Sequence, residues 1–147
     1  MLYAGIDPGS HGAVSVIDEN NEVVYALAMS RENLVTVGKY LQDKSCMVCV
    51  EKVGAMPGQG VTSMFNFGKN AGYIEGVLES FGLPYQLIPP QRWKKEFGLI
   101  HGDKTDSVRV CKQLFPKANL LPTPRCRKES DGIAESLIMA EYAKRRL

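Results

Sequence analysis

The sequence predicts an α/β domain, with a mixed five-stranded sheet and helices on both of its faces. Three observations carry that expectation. The chain opens with three strand-like segments, the second and third joined in hairpin style. The run Ser45–Val50 is apolar on both faces, which suits a central strand rather than an edge one. From there helical and extended stretches alternate, and an antiparallel start followed by such alternation implies a mixed sheet.

Each element has its own signal. Leu2–Asp7 reads as the first strand and stops at Pro8-Gly9, a turn pair. Gly12–Asp18 and Glu22–Ala28 are the next two strands, linked by Glu19-Asn20-Asn21. Arg31–Gln42 sets Leu34, Val35, Gly38 and Leu41 at helical spacing. After the apolar strand, Val61–Phe81 reads as a long helix and Pro84–Ile88 as a short strand. Pro90–Phe97 and Lys104–Phe115 read as helices, the second beginning near Asp103. Asp131–Arg146 closes the chain as a helix with Ile133, Ala134, Leu137, Ile138 and Tyr142 on its apolar side.

No repeat, low-complexity tract or linker divides the 147 residues, so residues 1–147 read as a single domain around one core. A composition that is 44% hydrophobic and 23% charged is ordinary for a soluble globular protein. No apolar run approaches the roughly 20 residues that span a bilayer, and the N-terminus lacks the pattern of a secretory signal. The expected compartment is the cytoplasm, with no membrane partner.

Four cysteines raise the question of a metal site or disulfides. Cys46 and Cys49 form a C-x-x-C spacing, but inside a strand they face opposite sides of the sheet. All four are read as reduced, with Cys46 and Cys49 in the core.

The net charge of +2 conceals an asymmetry. Residues 1–90 carry 5 Lys/Arg against 9 Asp/Glu, a net of −4. Residues 91–147 carry 13 against 7, a net of +6. Clustered positive charge attracts polyanions, of which nucleic acid is the commonest, although a solvated, well-mixed surface has the same totals.

Four carboxylates carry the chemistry. Asp7 ends the first strand and Glu51 ends the apolar run. If those strands pair in parallel, both emerge at the carboxyl edge, where open α/β sheets bind ligands. Asp131 and Glu135 lie four residues apart on the last helix and share a face. Ile138 and Tyr142 continue that stripe, so Glu135 is expected to be half-buried. A half-buried carboxylate among others takes up a proton or binds a cation, and a set of hard oxygen donors suits Mg²⁺ or Mn²⁺. Singly, each residue has a plainer explanation. Asp7 can start the Pro-Gly turn, Glu51 can pair with Lys52, Asp131 can cap the helix, and Glu135 can favour the helix dipole. Jointly they are what a two-metal phosphodiesterase requires.

At these residues the chain resembles the RuvC-type Holliday junction resolvases, in particular the compact phage branch and the chloroplast resolvases. The resemblance runs from Gly5 to about Tyr142, through GIDPGSHGAVSVID, VEKVGAMPGQGVTSMFNFGKNAG, LIPPQRWKKEFGL, DKTDSVRVCKQLFP and DGIAESLIMAEY. The GIDPG opening is also similar to that of sugar kinases and actin-like ATPases; the block from Glu51 to Lys69 is the specific part. The resemblance implies a ribonuclease-H-like fold and a homodimer that nicks opposed strands of a four-way DNA junction. It also implies two Mg²⁺ ions per site, with Mn²⁺ as a substitute, and water-mediated hydrolysis without a covalent intermediate or a nucleotide cofactor. The family's acidic positions fall on Asp7, Glu51, Asp131 and Glu135. Here the last is Glu rather than the usual bacterial Asp, and the pair is spaced by four rather than three.

Lys94 and Lys104 match basic residues that in such enzymes approach DNA near the cleavage point, and Lys104 is assigned to the catalytic set. Arg92, Lys69, Lys95, Arg109, Arg125, Arg127, Lys128 and Lys144-Arg145-Arg146 extend the cationic supply. The Gly-rich loop Val53–Gly60, with Gly54 and Gly58, is suited to close approach by DNA. Bacterial relatives carry an aromatic wedge near Gly54. Here Met56, Phe65 and Phe67 are the candidates, with packing the default for each. Trp93 is expected to anchor the core, and His11 and His101 to face solvent. Gly68, Gly72 and Gly76 form a smooth stripe on the long helix, for packing on the sheet or on a symmetry partner. The competing readings are a ribonuclease-H-fold nuclease acting on RNA–DNA hybrids or other branched DNA, and a non-catalytic junction-binding module.

Overall fold

The computed structural model describes residues 1–147, and its strands follow the alternation in the sequence. β1 (Leu2–Asp7), β2 (Ala13–Ile17) and β3 (Val23–Ala28) are joined by short turns and pair antiparallel in that order. β4 (Cys46–Glu51) and β5 (Tyr85–Ile88) then add in parallel on the other side of β1. The resulting sheet has the order β3-β2-β1-β4-β5, so the mixed five-stranded expectation holds. Because two antiparallel steps separate β3 from β1, strands β1, β3, β4 and β5 all end at the same edge.

Alternation along the strands supplies two cores, one per face, where the sequence suggested one. Ala4, Ile6, Val14, Val16, Val48 and Val50 face the first, under α1 (Arg31–Leu41) and α2 (Val61–Ser80). Ala13, Ile17, Cys49 and Ile88 face the second, under α3 (Pro90–Glu96), α4 (Lys104–Leu114) and α5 (Asp131–Arg146). Cys46 belongs to the first core and Cys49 to the second, and all four cysteines are free thiols. Trp93 is fully buried.

α5 is the central helix, buried around most of its circumference because it lies between the sheet and α4. It approaches β1 closely. A Cβ at Gly5 would overlap the Ser136 carbonyl and lie 2.6 Å from the Ala140 nitrogen, so only glycine fits. The buried hydroxyl of Ser136 donates to the Ile133 carbonyl at 2.8 Å, which leaves it to accept from Ser15 on β2 at 2.6 Å. These contacts fix the middle of α5 against β1 and β2, and its start is held at the turn before β2, where a Cβ at Gly132 would overlap the His11 carbonyl. No helix is long and apolar enough to cross a membrane.

Candidate active site

A cleft of about 860 Å³ opens along the carboxyl edge of the sheet, and Asp7, Glu51, Asp131, Glu135 and Lys104 all line it. Asp7 and Glu51 arrive there because β1 and β4 run parallel and in step, with Ile6 opposite Val50. Asp131 and Glu135 arrive because α5 starts at the same edge, one turn separating the two residues.

The plainer explanations fail at Asp131 and Glu51, and at Asp7 the turn reading holds. The cap of α5 is Ser130, whose hydroxyl accepts from the Ile133 amide at 3.0 Å, so Asp131 is not the N-cap. Asp131 instead lies 3.7 Å from the Lys104 ammonium, which is itself 81% exposed. Glu51 forms no pair with Lys52; it accepts from the Trp93 indole N–H at 2.9 Å. Asp7 does accept from the Gly9 amide, at 3.1 Å, but through Oδ1. Glu135 receives a hydrogen bond from the Ser107 hydroxyl at 3.3 Å.

The four carboxylates act on one another. Burial raises the Asp7 carboxyl above its ordinary value, with Asp131 adding to the rise and the Gly9 amide, Lys94 and Lys104 opposing it. Burial also raises Glu51, reinforced by Asp7 and opposed by Trp93 and Lys94. Glu135 moves furthest, to about 7, through burial first and then the charges of Asp7 and Glu51. Half-buried anions thus face each other with little compensating charge, which is the condition that favours a proton or a cation. All of the donors are hard oxygens. They line the cleft without any three His, Cys, Asp or Glu side chains grouping as a ready-made ion cage.

The remaining expected residues divide. Gly54 and Met56 line the cleft, from the loop between β4 and α2. Lys94 does not line it, yet its charge reaches Asp7, Glu51 and Glu135 from the Trp93 ring, 5.6 Å away. Gly58 (φ +84°), Phe65, Lys69 and Arg92 are exposed but outside the cleft wall. The expectation that Met56 and Phe65 are packed is corrected: they are 62% and 70% exposed, because no element covers that loop or that face of α2. Nor do Gly68, Gly72 and Gly76 pack on the sheet; a Cβ at each would meet nothing within 4 Å.

The cationic supply at the C-terminus also needs correction. Arg146 pairs with Glu96 at 2.7 Å, Arg145 with Glu141 at 2.9 Å and Glu96 at 3.5 Å, and Lys144 binds Asn21 at 2.6 Å. These groups sit at the far end of α5, roughly 20 Å from Asp131. Residues not singled out from the sequence also line the cleft, among them Met29, Ser30, Arg31, Asn70 and Tyr73. His11 lines it too and, like His101, is exposed.

No family model matches the chain, and no curated protein matches it. Solved structures do. The structure of RuvC from Thermus thermophilus superimposes with a TM-score of 0.65 at 18% identity, over 99% of this chain and 96% of that one. T. thermophilus RuvC in complex with Holliday junction substrate gives 0.62 at 18% identity, over 95% and 90%. At that identity the likeness is one of fold.

Proposed function

We propose that this chain, whose fold is of the RuvC type and ribonuclease-H-like, is a structure-selective DNA endonuclease that resolves four-way junctions. The observation that carries the reading is the convergence of Asp7, Glu51, Asp131 and Glu135 in one cleft. They come from two parallel strand ends and one helix start. Two Mg²⁺ ions, with Mn²⁺ as a substitute, match this donor set. Mg²⁺ is commonly held by one or two carboxylates, with water and substrate phosphate oxygens completing its shell, so an open arrangement suits it. When bound, such ions lower the pKa of water and offset the charge that builds on phosphate.

The chain's own residues supply the rest. Asp7 and Glu51 would hold the ions at the strand ends, and the Trp93 indole fixes which way the Glu51 carboxylate faces. Ser107 does the same for Glu135. Lys104, exposed beside Asp131, would meet the backbone phosphate at the cleavage point. Lys94 lowers the repulsion among the carboxylates from behind. Gly54, Met56 and Gly58 form the loop that meets the branch, with Lys69 and Arg92 giving phosphate contacts beyond it. A homodimer is part of the reading, since paired nicks require two sites. The uncovered face of α2, with Val61 and Phe65 exposed above the bare glycine stripe, is the surface offered for it.

Incubation with Mg²⁺ and a mobile four-way junction, with duplex and RNA–DNA hybrid controls, tests the proposal. Paired nicks across the junction and little cutting of the controls are expected. Junction binding unaffected by metal, with no cleavage, contradicts it and favours a non-catalytic binding module.

A further inference from the structure

The cleft extends well past the acidic cluster, and its lining contains only two Lys or Arg residues, Lys104 and Arg31. Their placement follows from the topology. α4 begins at Lys104 and sends Val110 and Cys111 into one core. α1 begins at Arg31 and sends Leu34, Val37 and Leu41 into the other. Since β3 ends at the same edge as β1, the chain leaves β3, bonds the Met29 amide to the Gly12 carbonyl at 3.0 Å, and enters α1 beside the cleft. The two cations therefore flank the acidic edge from opposite faces of the sheet.

Arg31 is held but not neutralised. Its guanidinium carbon lies 4.6 Å from the centre of the Tyr73 ring, and it enters none of the molecule's ion pairs. Its polar neighbours are engaged elsewhere: Ser30 caps α1 through the Asn33 amide, and the Asn33 side chain binds the Ala28 carbonyl. The Tyr73 platform is itself fixed. Asn70, one turn earlier on α2, donates to the Pro8 carbonyl at 2.7 Å and ties the helix to the turn after Asp7. Stacking on an aromatic face leaves the guanidinium edge free, and that planar fork matches two phosphate oxygens.

From this arrangement we propose that Arg31, stacked on Tyr73, is a second phosphate subsite that grips the nucleic-acid strand on the side of the acidic cluster opposite Lys104. A strand crossing four carboxylates is repelled there, and a cation at either end of the crossing holds it down. The inference rests on the nucleic-acid reading of the cleft.

The test is the salt dependence of binding to a mobile four-way junction, with Ca²⁺ in place of Mg²⁺, for wild type, Arg31→Ala and Arg31→Lys. Arg31 is exposed and the Ser30 cap is retained, so all three are expected to fold. Loss of one phosphate contact makes the slope of log K against log salt shallower by about 0.9, or ~0.7 if the contacted strand is single. Arg31→Ala is expected to show that change, and Arg31→Lys to keep the wild-type slope with weaker binding. A wild-type slope for Arg31→Ala overturns the subsite, even if its melting temperature falls, because Arg31 then only clips α1 to α2. A wild type that binds junctions in Ca²⁺ but does not nick them once Mg²⁺ replaces it contradicts the nuclease reading alone and leaves the slope comparison decisive. A wild type that binds no DNA overturns both.

Discussion

Each end of α5 carries a buried or half-buried glutamate, and the fold treats the two in opposite ways. At its C-terminal end the buried Glu141 is met by Arg145 at 2.9 Å and Lys144 at 4.0 Å, and Arg145 and Arg146 are met in turn by Glu96. At its N-terminal end the half-buried Glu135 has only the Ser107 hydroxyl within hydrogen-bond reach, and other carboxylates around it. The first arrangement is neutralised by its own neighbours and serves stability, although Glu141 Oε2 is buried without a hydrogen bond. The second is left open, and its instability is relieved only by something that arrives from outside. The contrast teaches that charge content alone does not identify a site. What identifies it is charge that the fold has declined to neutralise, and the further cation of this kind in the cleft is Arg31.

Ways to break that contrast range from large to negligible effects. Asp7→Asn and Glu51→Gln are expected to retain junction binding while nicking falls by at least about 100-fold, the scale of removing a preorganised electrostatic group. Gel assays of nicking and of binding check this, and undiminished nicking removes the residue from the site.

Glu135→Gln sharpens the contrast from the stability side. The folded value of about 7 exceeds the ordinary 4.5, so the folded chain holds more protons than the unfolded chain between the two. Metal-free stability therefore falls as pH rises through that window and stays low above it. The penalty at about pH 8 is at most about 3 kcal/mol, less after solvent screening. Thermal melts without metal are expected to show Glu135→Gln more stable than wild type at about pH 8, with no such gain at about pH 4.5. A variant less stable at both values contradicts the open-end account.

The smallest effect belongs to the closed end. Arg146→Ala is expected to leave junction affinity and its salt slope unchanged, because Arg146 is already paired with Glu96. A slope shallower by about 0.9 makes it a phosphate contact after all.

Much of this was legible in the sequence. Each strand and helix lies within one residue of its expected bounds at either end, because turn residues, caps and periodicity agree locally. The order Asp7, Glu51, Asp131, Glu135 was readable because strand ends and helix starts can be placed without tertiary information. What was not legible depended on meetings between distant segments. Trp93 was expected as a core anchor, but that its N–H turns to Glu51, 42 residues away, is a property of the folded chain. The signal available was that a buried indole N–H requires an acceptor. The C-terminal cations looked free because Glu96 lies 49 and 50 residues from them. Arg31 gave no sign because its partner Tyr73 is on another helix. The exposure of Met56 and Phe65 was missed because apolar side chains default to the core, and only the fold shows that nothing covers them.

The most direct measurement of the central claim is the proton balance of Mg²⁺ binding, read by calorimetry in buffers of different ionisation heat. Displacing the proton from a carboxyl that titrates at about 7 is expected to release close to one proton at about pH 6 and close to none at about pH 8.5. Glu135→Gln should abolish most of that release. Mg²⁺ binding with no proton release at either pH, or no Mg²⁺ binding to the wild-type protein, contradicts the account.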